Sequence, residues 1–306
     1  MREKVKSSSL EEPKPTSPNA STSPAPIRSP PRANTGPLHG LWALTQRDLR
    51  KWYGNPVQLL ISLIQPVIWL GVFGKALNFG SFIAQSGAPA SVTSSIMLDT
   101  FGTASYFSYL ACGQLAFVVL FTSAFSGMSV VFDRRFGFMN KALSTPVGRG
   151  TIVMAKVFQS VGRSVVQATM VLVIAVVLGM ETGSFSVLGV VEAYAVVFLM
   201  ATGLSALYVM LALRSSDWQT QMALINLLNL PLLFASNALL PAKLMPTWLQ
   251  WVVKFNPVSY ATDALRQLLR GAVGTNTIAV DFGVVLGFAL VLSVAGIVLS
   301  WRLLSK

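Results

Sequence analysis

The chain has 306 residues, 53% hydrophobic and 11% charged, whereas soluble domains carry about 25% charged residues; a soluble globular protein is excluded and an integral membrane protein is implied. The formal charge of +12 would suit nucleic acid, but the Lys and Arg residues lie beside apolar segments and in the N-terminal stretch, which is the pattern of membrane orientation. One cysteine, Cys112, and one histidine, His39, exclude an internal disulfide and leave a His/Cys metal site short of ligands.

Residues 1–36 cluster Pro and Ser with almost no large apolar side chains, too little to offset the entropy of ordering, and are expected to form a disordered tail. The apolar run of about 7–15 residues that a signal peptide needs does not follow the charged start. From Leu38 to Tyr53, Leu41, Trp42, Thr45, Leu49 and Trp52 recur at three- and four-residue spacing, while Arg47, Arg50 and Lys51 take the other side. That spacing predicts a helix in the interface plane with its indole rings at headgroup depth. After a Gly54-Asn55-Pro56 turn, a first span is expected from Val57 to Leu77, kinked at Gln65-Pro66 because proline removes a helix hydrogen bond. Residues 78–106 read as an almost uncharged loop. A second span runs from Phe107 to Phe132, with Gly113, Ser123, Ser126 and Gly127 favouring close helix packing.

Between the second and third spans the stretch from Phe132 to Lys156 carries Arg134, Arg135, Lys141, Arg149 and Lys156 against one acid, Asp133. Phe136, Phe138, Met139, Ala142 and Leu143 recur among these charges at helical spacing, so a short amphipathic helix is expected, lying on lipid or docked into a partner. Thr145-Pro146 offers an N-cap and first position for the next helix. The third span, Ile152 to Met180, holds Arg163, which is expected to snorkel to the headgroups. The fourth, Phe185 to Leu213, holds Glu192, expected to pair with Arg266 or Arg270 or to line a route. The fifth, Gln221 to Leu240, carries Asn226 and Asn229, which suit either a polar cargo or interhelical hydrogen bonds. A sixth, Ile278 to Trp301, contains the GxxxG pair Gly283 and Gly287.

The segment before the sixth span predicts two helices too short to cross a bilayer, which takes about 20 residues. One covers Thr247 to Phe255, with Trp248 and Trp251. The other starts at Asn256-Pro257, ends at Gly271 and sets Asp263 and Arg266 opposite Leu265 and Leu269, with Tyr260 near its start. Together they read as a re-entrant hairpin or lid. Eleven basic residues flank the side of the termini against five on the other, so both termini are expected in the cytoplasm.

The run DRRFGFMNKALSTPVGRGTIVMAK and the run LLPAKLMPTWLQWVVKFNPVSYATDALRQLL, in this order within six spans, resemble the ABC-2 type transporter permeases, with the closest look to the daunorubicin-resistance and nodulation-exporter group. The resemblance covers residues 38–306. It implies an all-α membrane protein with six transmembrane helices, an N-terminal interfacial helix, a cytoplasmic coupling helix and outer re-entrant helices, in two parts, a 1–36 tail and a 37–306 transmembrane domain. It also implies a multi-pass plasma-membrane subunit working as a homodimer, surrounded by lipid, with a separate ATP-binding subunit. Arg134, Arg135, Phe136, Gly137, Phe138, Met139 and Leu143 would then sit in a cleft of that ATPase. The chain has no G-x-x-x-x-G-K-[ST] phosphate loop, so ATP and Mg belong to the partner and no cofactor is expected here. The leading function is a permease exporting a drug-like compound, lipid or lipid-linked glycan. The alternative is an assembly or scaffold protein of the same fold, and a membrane enzyme is disfavoured because no His, Asp and Glu cluster lies in the spans.

Overall fold

The structure, a computed structural model, describes residues 37–304 except 78, 88, 104, 145–147, 184, 216, 272, 273 and 275. The expected tail and residues 145–147 lie outside the described residues, as do the side chains of Gln58 and Leu143; the helix expected to start at Thr145-Pro146 begins at Arg149, with Gly148 extended as its N-cap.

The described secondary structure is helical throughout, in an order set by turn residues. Helix α1 (Pro37–Tyr53) ends at the Gly54-Asn55 turn, and α2 (Pro56–Ile68) begins with proline at its first position. The expected disturbance at Pro66 is present as a change of register: α2 passes through Pro66, then widens into a π turn over Trp69–Phe73 before the short α3 (Gly74–Ala76). The stretch read as a loop from 78 to 106 is instead mostly helical, with α4 (Phe79–Gln85) and α5 (Ala90–Phe101). Its small polar residues hid the cause, which is aromatic: Phe79 and Phe101 meet Tyr106, and Phe101 meets Tyr109, edge to face at 4.8–5.4 Å, and these contacts hold both helices on the bundle.

Helix α6 (Tyr106–Arg135) forms the centre of the bundle, and almost every residue from Tyr106 to Val131 is buried. The expected close packing of its small residues is real and severe. A Cβ on Gly113 would stand 1.9 Å from the Ala238 carbonyl oxygen, and one on Gly127 2.5 Å from that of Tyr208. Around α6 lie α8 (Arg149–Val177), α9 (Val187–Arg214) and α10 (Trp218–Phe234), with α13 (Ile278–Leu304) packed on α9. Ser186 caps α9 by accepting from the Gly189 N–H at 2.9 Å, and the Asp217 carboxylate caps α10. Between α6 and α8 sits α7 (Phe138–Leu143), set off by Gly137 at φ +70°, where any other residue would be strained.

Five segments among the described residues are long and apolar enough to cross a membrane: 59–85, 90–135, 149–177, 187–214 and 278–302. The expected fifth span is shorter than anticipated. Helix α10 has 17 residues, about 25 Å at the usual helical rise, and stops at Phe234; residues 235–238 continue as a buried turn against α6. The two helices expected before the last span are present within one residue of the proposed bounds, as α11 (Thr247–Phe255) and α12 (Pro257–Arg270). Asn256 caps α12 through its side chain, and Gly271 ends it at φ +60°.

Gly113→Ala should therefore destabilise the solubilised protein by about 1–3 kcal/mol, the usual penalty of overpacking, whereas Gly283→Ala, with nothing within 4 Å of the added methyl, should stay within about 0.5 kcal/mol. Thermal unfolding in mild detergent measures both.

Candidate functional site

Polar chemistry collects at the two ends of α6. At its C-terminal end Lys156, only 5% exposed, lies between two carboxylates, 2.7 Å from Asp48 on α1 and 2.5 Å from Asp133 on α6. Its ammonium also donates to the Ser129 hydroxyl at 2.9 Å. Arg47 binds Asp48 directly, reaches Asp133 at 3.9 Å and covers the Phe138 ring at 3.7 Å. Burial alone would raise the Asp48 carboxyl, but Lys156 and Arg47 outweigh it and hold it below its ordinary 3.8. Two cations and two anions thus form one compact neutral group that joins α1, α6, α7 and α8.

The polar residues of the 132–156 stretch do not act as one solvated loop. Arg134 turns inward and donates to the Ala212 and Ser215 carbonyls, at 3.4 and 3.3 Å, closing the C-terminal end of α9. Met139 and Ala142 are buried, and Phe138 packs with them on Val130, Val131, Ile152, Val153 and Leu213. What faces outward is Arg135, Asn140, Lys141 and above all Phe136, which is 78% exposed. The Phe136 ring stacks on Phe132 at 6.2 Å, and Phe132 meets Trp218 of α10 at 5.7 Å.

At the other end of α6, Arg266 of α12 is buried beneath turn 235–238. It donates to the Asn237 and Ala238 carbonyls at 2.8 and 3.0 Å and lies 3.5 Å over the Tyr109 ring, while the Tyr109 hydroxyl donates to the Asn237 carbonyl at 2.7 Å. Asp263 accepts from the Asn276 N–H at 3.3 Å. The expected pairing of Glu192 with Arg266 or Arg270 is not made. Arg270 binds Glu181, carboxylate and carbonyl alike, because the α8–α9 turn brings Glu181 to the end of α12. Tyr260 donates to the Lys254 carbonyl at 2.7 Å, and Trp248 and Trp251 stand exposed on α11.

Residues 39–269 match the family described as ABC-2 type transporter. The chain belongs to that family. It is 30% identical over 232 residues to the ycf38 protein of Cyanophora paradoxa, named as a transport permease, a match covering 76% of this chain and 74% of the relative. Identity is 26% with the daunorubicin resistance ABC transporter permease protein DrrB1 of Streptomyces coeruleorubidus, over 72% of this chain and 71% of that one. With nodulation protein J of Rhizobium leguminosarum bv. trifolii it is 23%, over 75% and 80%.

Within this ABC-2 chain the residues expected to act together are only partly gathered. Arg47 and Trp52 join the bundle, Trp52 buried beneath α8, while Trp42 and Arg50 remain on the open face of α1. Arg163 donates to the Asp48 carbonyl at 3.4 Å and lies 5.7 Å over Trp52, so α1 roofs it. Asn229 is buried and accepts from the Tyr208 hydroxyl, Asn226 one turn before it on α10 is exposed, and Glu192 has no polar partner among the described residues. Asp48 and Trp218 were missed. The signal for Asp48 was present, a lone acid three residues from Thr45 and four from Trp52 on the face that buries.

Lys156→Met leaves the buried Asp48 and half-buried Asp133 carboxylates short of their shared cation and should destabilise the solubilised permease by about 3–5 kcal/mol, with Asp48→Asn added to it recovering part of the loss. Because the Asp48 carboxyl is held low, its contribution is complete at neutral pH and falls away only as pH drops below 3.8 toward its lower folded value. Acid unfolding of Asp48→Asn should accordingly lose that step, read by thermal shift from pH 6 downward.

Proposed function

We propose that this chain is the membrane permease of an ATP-driven exporter, and that it moves an amphipathic substrate using energy from a separate ATP-binding subunit. Membership of the ABC-2 family gives the class, and relatives named for drug resistance and nodulation give transport as the activity. The absence of a phosphate-binding loop from the sequence means that ATP must be held elsewhere. Two copies of the permease in a plasma membrane, with termini in the cytoplasm, complete the reading.

The observation that carries it is the exposed aromatic ladder Phe136–Phe132–Trp218 beside Arg135 and Lys141. Exposed apolar rings rimmed by charge mark a protein partner's surface. The ladder stands on the C-terminal end of α6 and the first residue of α10, next to α7, which is clamped below by Phe138 and Met139 and from the side by Arg47. A push on Phe136 is therefore delivered to α6 and α8 rather than lost in a floppy loop. The ATPase engages the outward ring, and the inward residues of the same stretch hold the platform.

Phe136→Ser removes an exposed ring and should leave expression and unfolding temperature unchanged. It should weaken co-purification of the ATP-binding subunit and lower substrate-stimulated ATP hydrolysis and efflux by about tenfold, as loss of one interface hot spot does. Full coupling with Phe136→Ser and Arg135→Glu together would contradict the assignment of this face. A preparation from cells expressing the transporter's ATPase that carries none would favour the scaffold reading.

A further inference from the structure

A cavity of about 500 Å³ lies between α1 and α2 on one side and α6 and α8 on the other, adjacent to the Lys156 group. Its back wall is a polar stripe on a membrane span: Lys156, Gln159, Arg163 and Gln167 follow one another at spacings of three, four and four, on one face of α8. The stripe runs eleven residues, about 16 Å into the apolar layer at the helical rise. Polar side chains on a span line a cavity or pair with one another, because lipid leaves them no third choice. Here the pairing is incomplete. The Gln167 side-chain oxygen accepts from Thr122, which leaves its amide nitrogen without a partner among the described residues.

The charges around the cavity are not balanced. Asp48 and Asp133 are taken up by Lys156 and Arg47, four groups that sum to zero. Arg163 and Lys51 also line the space, and neither has a carboxylate partner among the described residues. Arg163 donates to the Asp48 carbonyl and to the Gln159 side-chain oxygen and lies over the Trp52 ring; the rest of its five-donor guanidinium lines the cavity. Ile61 of α2 and Phe125 of α6, each about 60% exposed, add open apolar lining beside Ser62, Gln65 and Met128. The cavity thus offers cations for an anion and apolar rims for a hydrocarbon chain.

We propose that this cavity binds an anionic amphiphile, with a phosphate or carboxylate headgroup held by Arg163 and Lys51, hydrogen-bonded along the Gln159–Gln167 stripe, and with its chain lying over Ile61 and Phe125. Resting on the permease reading, this names the substrate class and gives its point of admission, under the interfacial helix. A bidentate guanidinium and an oxyanion make the strong charge-assisted contact that selects the headgroup. The carboxylates do not attract a cationic drug here, since both are already neutralised.

The test is equilibrium binding to the full chain in phosphatidylcholine nanodiscs, with dodecyl phosphate, dodecyl maltoside and inorganic phosphate as probes. Dodecyl phosphate should saturate one site, Arg163→Gln should weaken it by about tenfold and Lys51→Ala by about threefold, with Arg163→Lys falling between, while dodecyl maltoside is indifferent to all three. Lys51 is exposed and unpartnered, so Lys51→Ala reports on binding even where Arg163→Gln misfolds. Unchanged dodecyl phosphate affinity in Arg163→Gln and Lys51→Ala overturns the site. Inorganic phosphate binding as tightly as dodecyl phosphate overturns the amphiphile and leaves a free anion as ligand. Binding needs no ATPase, so saturable, Arg163-dependent binding without ATP-driven efflux upholds the site and rejects the permease reading.

Discussion

A lysine ammonium taken out of water between four helices has to be compensated, and that requirement organises one end of this molecule. Lys156 is compensated by Asp48 and Asp133, and Arg47 completes the neutral group. Such a group adds little net stability over a well-packed apolar one, but each member becomes costly to remove, so the arrangement fixes geometry more than it adds energy. The geometry it fixes is the seat of α1. An amphipathic helix held only by apolar contacts is free to slide and rotate at an interface, whereas Asp48 has one place to go. Through Arg47 on Phe138 the same group also holds α7, so the interfacial helix and the outward-facing ladder share one foundation.

The opposite end of α6 uses a different solution. Arg266 is buried against carbonyls and an aromatic face, which bind the guanidinium along its plane and edge. It holds α12 to turn 235–238, the turn that Gly113 lets into the side of α6. From Tyr109 to Asp133 is about 36 Å of continuous helix. A stiff rod tied at both ends by directional polar contacts is what a device needs if force applied at one surface is to change packing at the other.

Much of this was legible from residues alone. The Asn256-Pro257 start and Gly271 stop of α12 are local chemistry and fell where expected, as did the third, fourth and last spans, which follow from apolar length. What could not be read was tertiary. The basic residues of 132–156 look alike in sequence, yet Arg134 closes α9, Lys156 is buried and Arg135 is exposed, distinctions made by neighbours up to 108 residues away. Helices α4 and α5 were hidden by low hydrophobicity and are held by a few aromatic contacts. Glu192 is expected to pair with Arg266 or Arg270 or to line a route, but the turn at Glu181 takes Arg270 and the carbonyls of turn 235–238 take Arg266.

The claim on which the rest depends is that the Lys156 group fastens α1 and α7 to the same body. Pulsed electron–electron spin resonance between labels on Arg50→Cys and Asn140→Cys, in a Cys112→Ala background reconstituted into bilayers, measures that directly. The account predicts one narrow distance distribution with the native group and a broad or shifted one when Lys156→Met is added. Equally narrow distributions at the same distance in both would show that α1 is seated by apolar packing alone, and would contradict it.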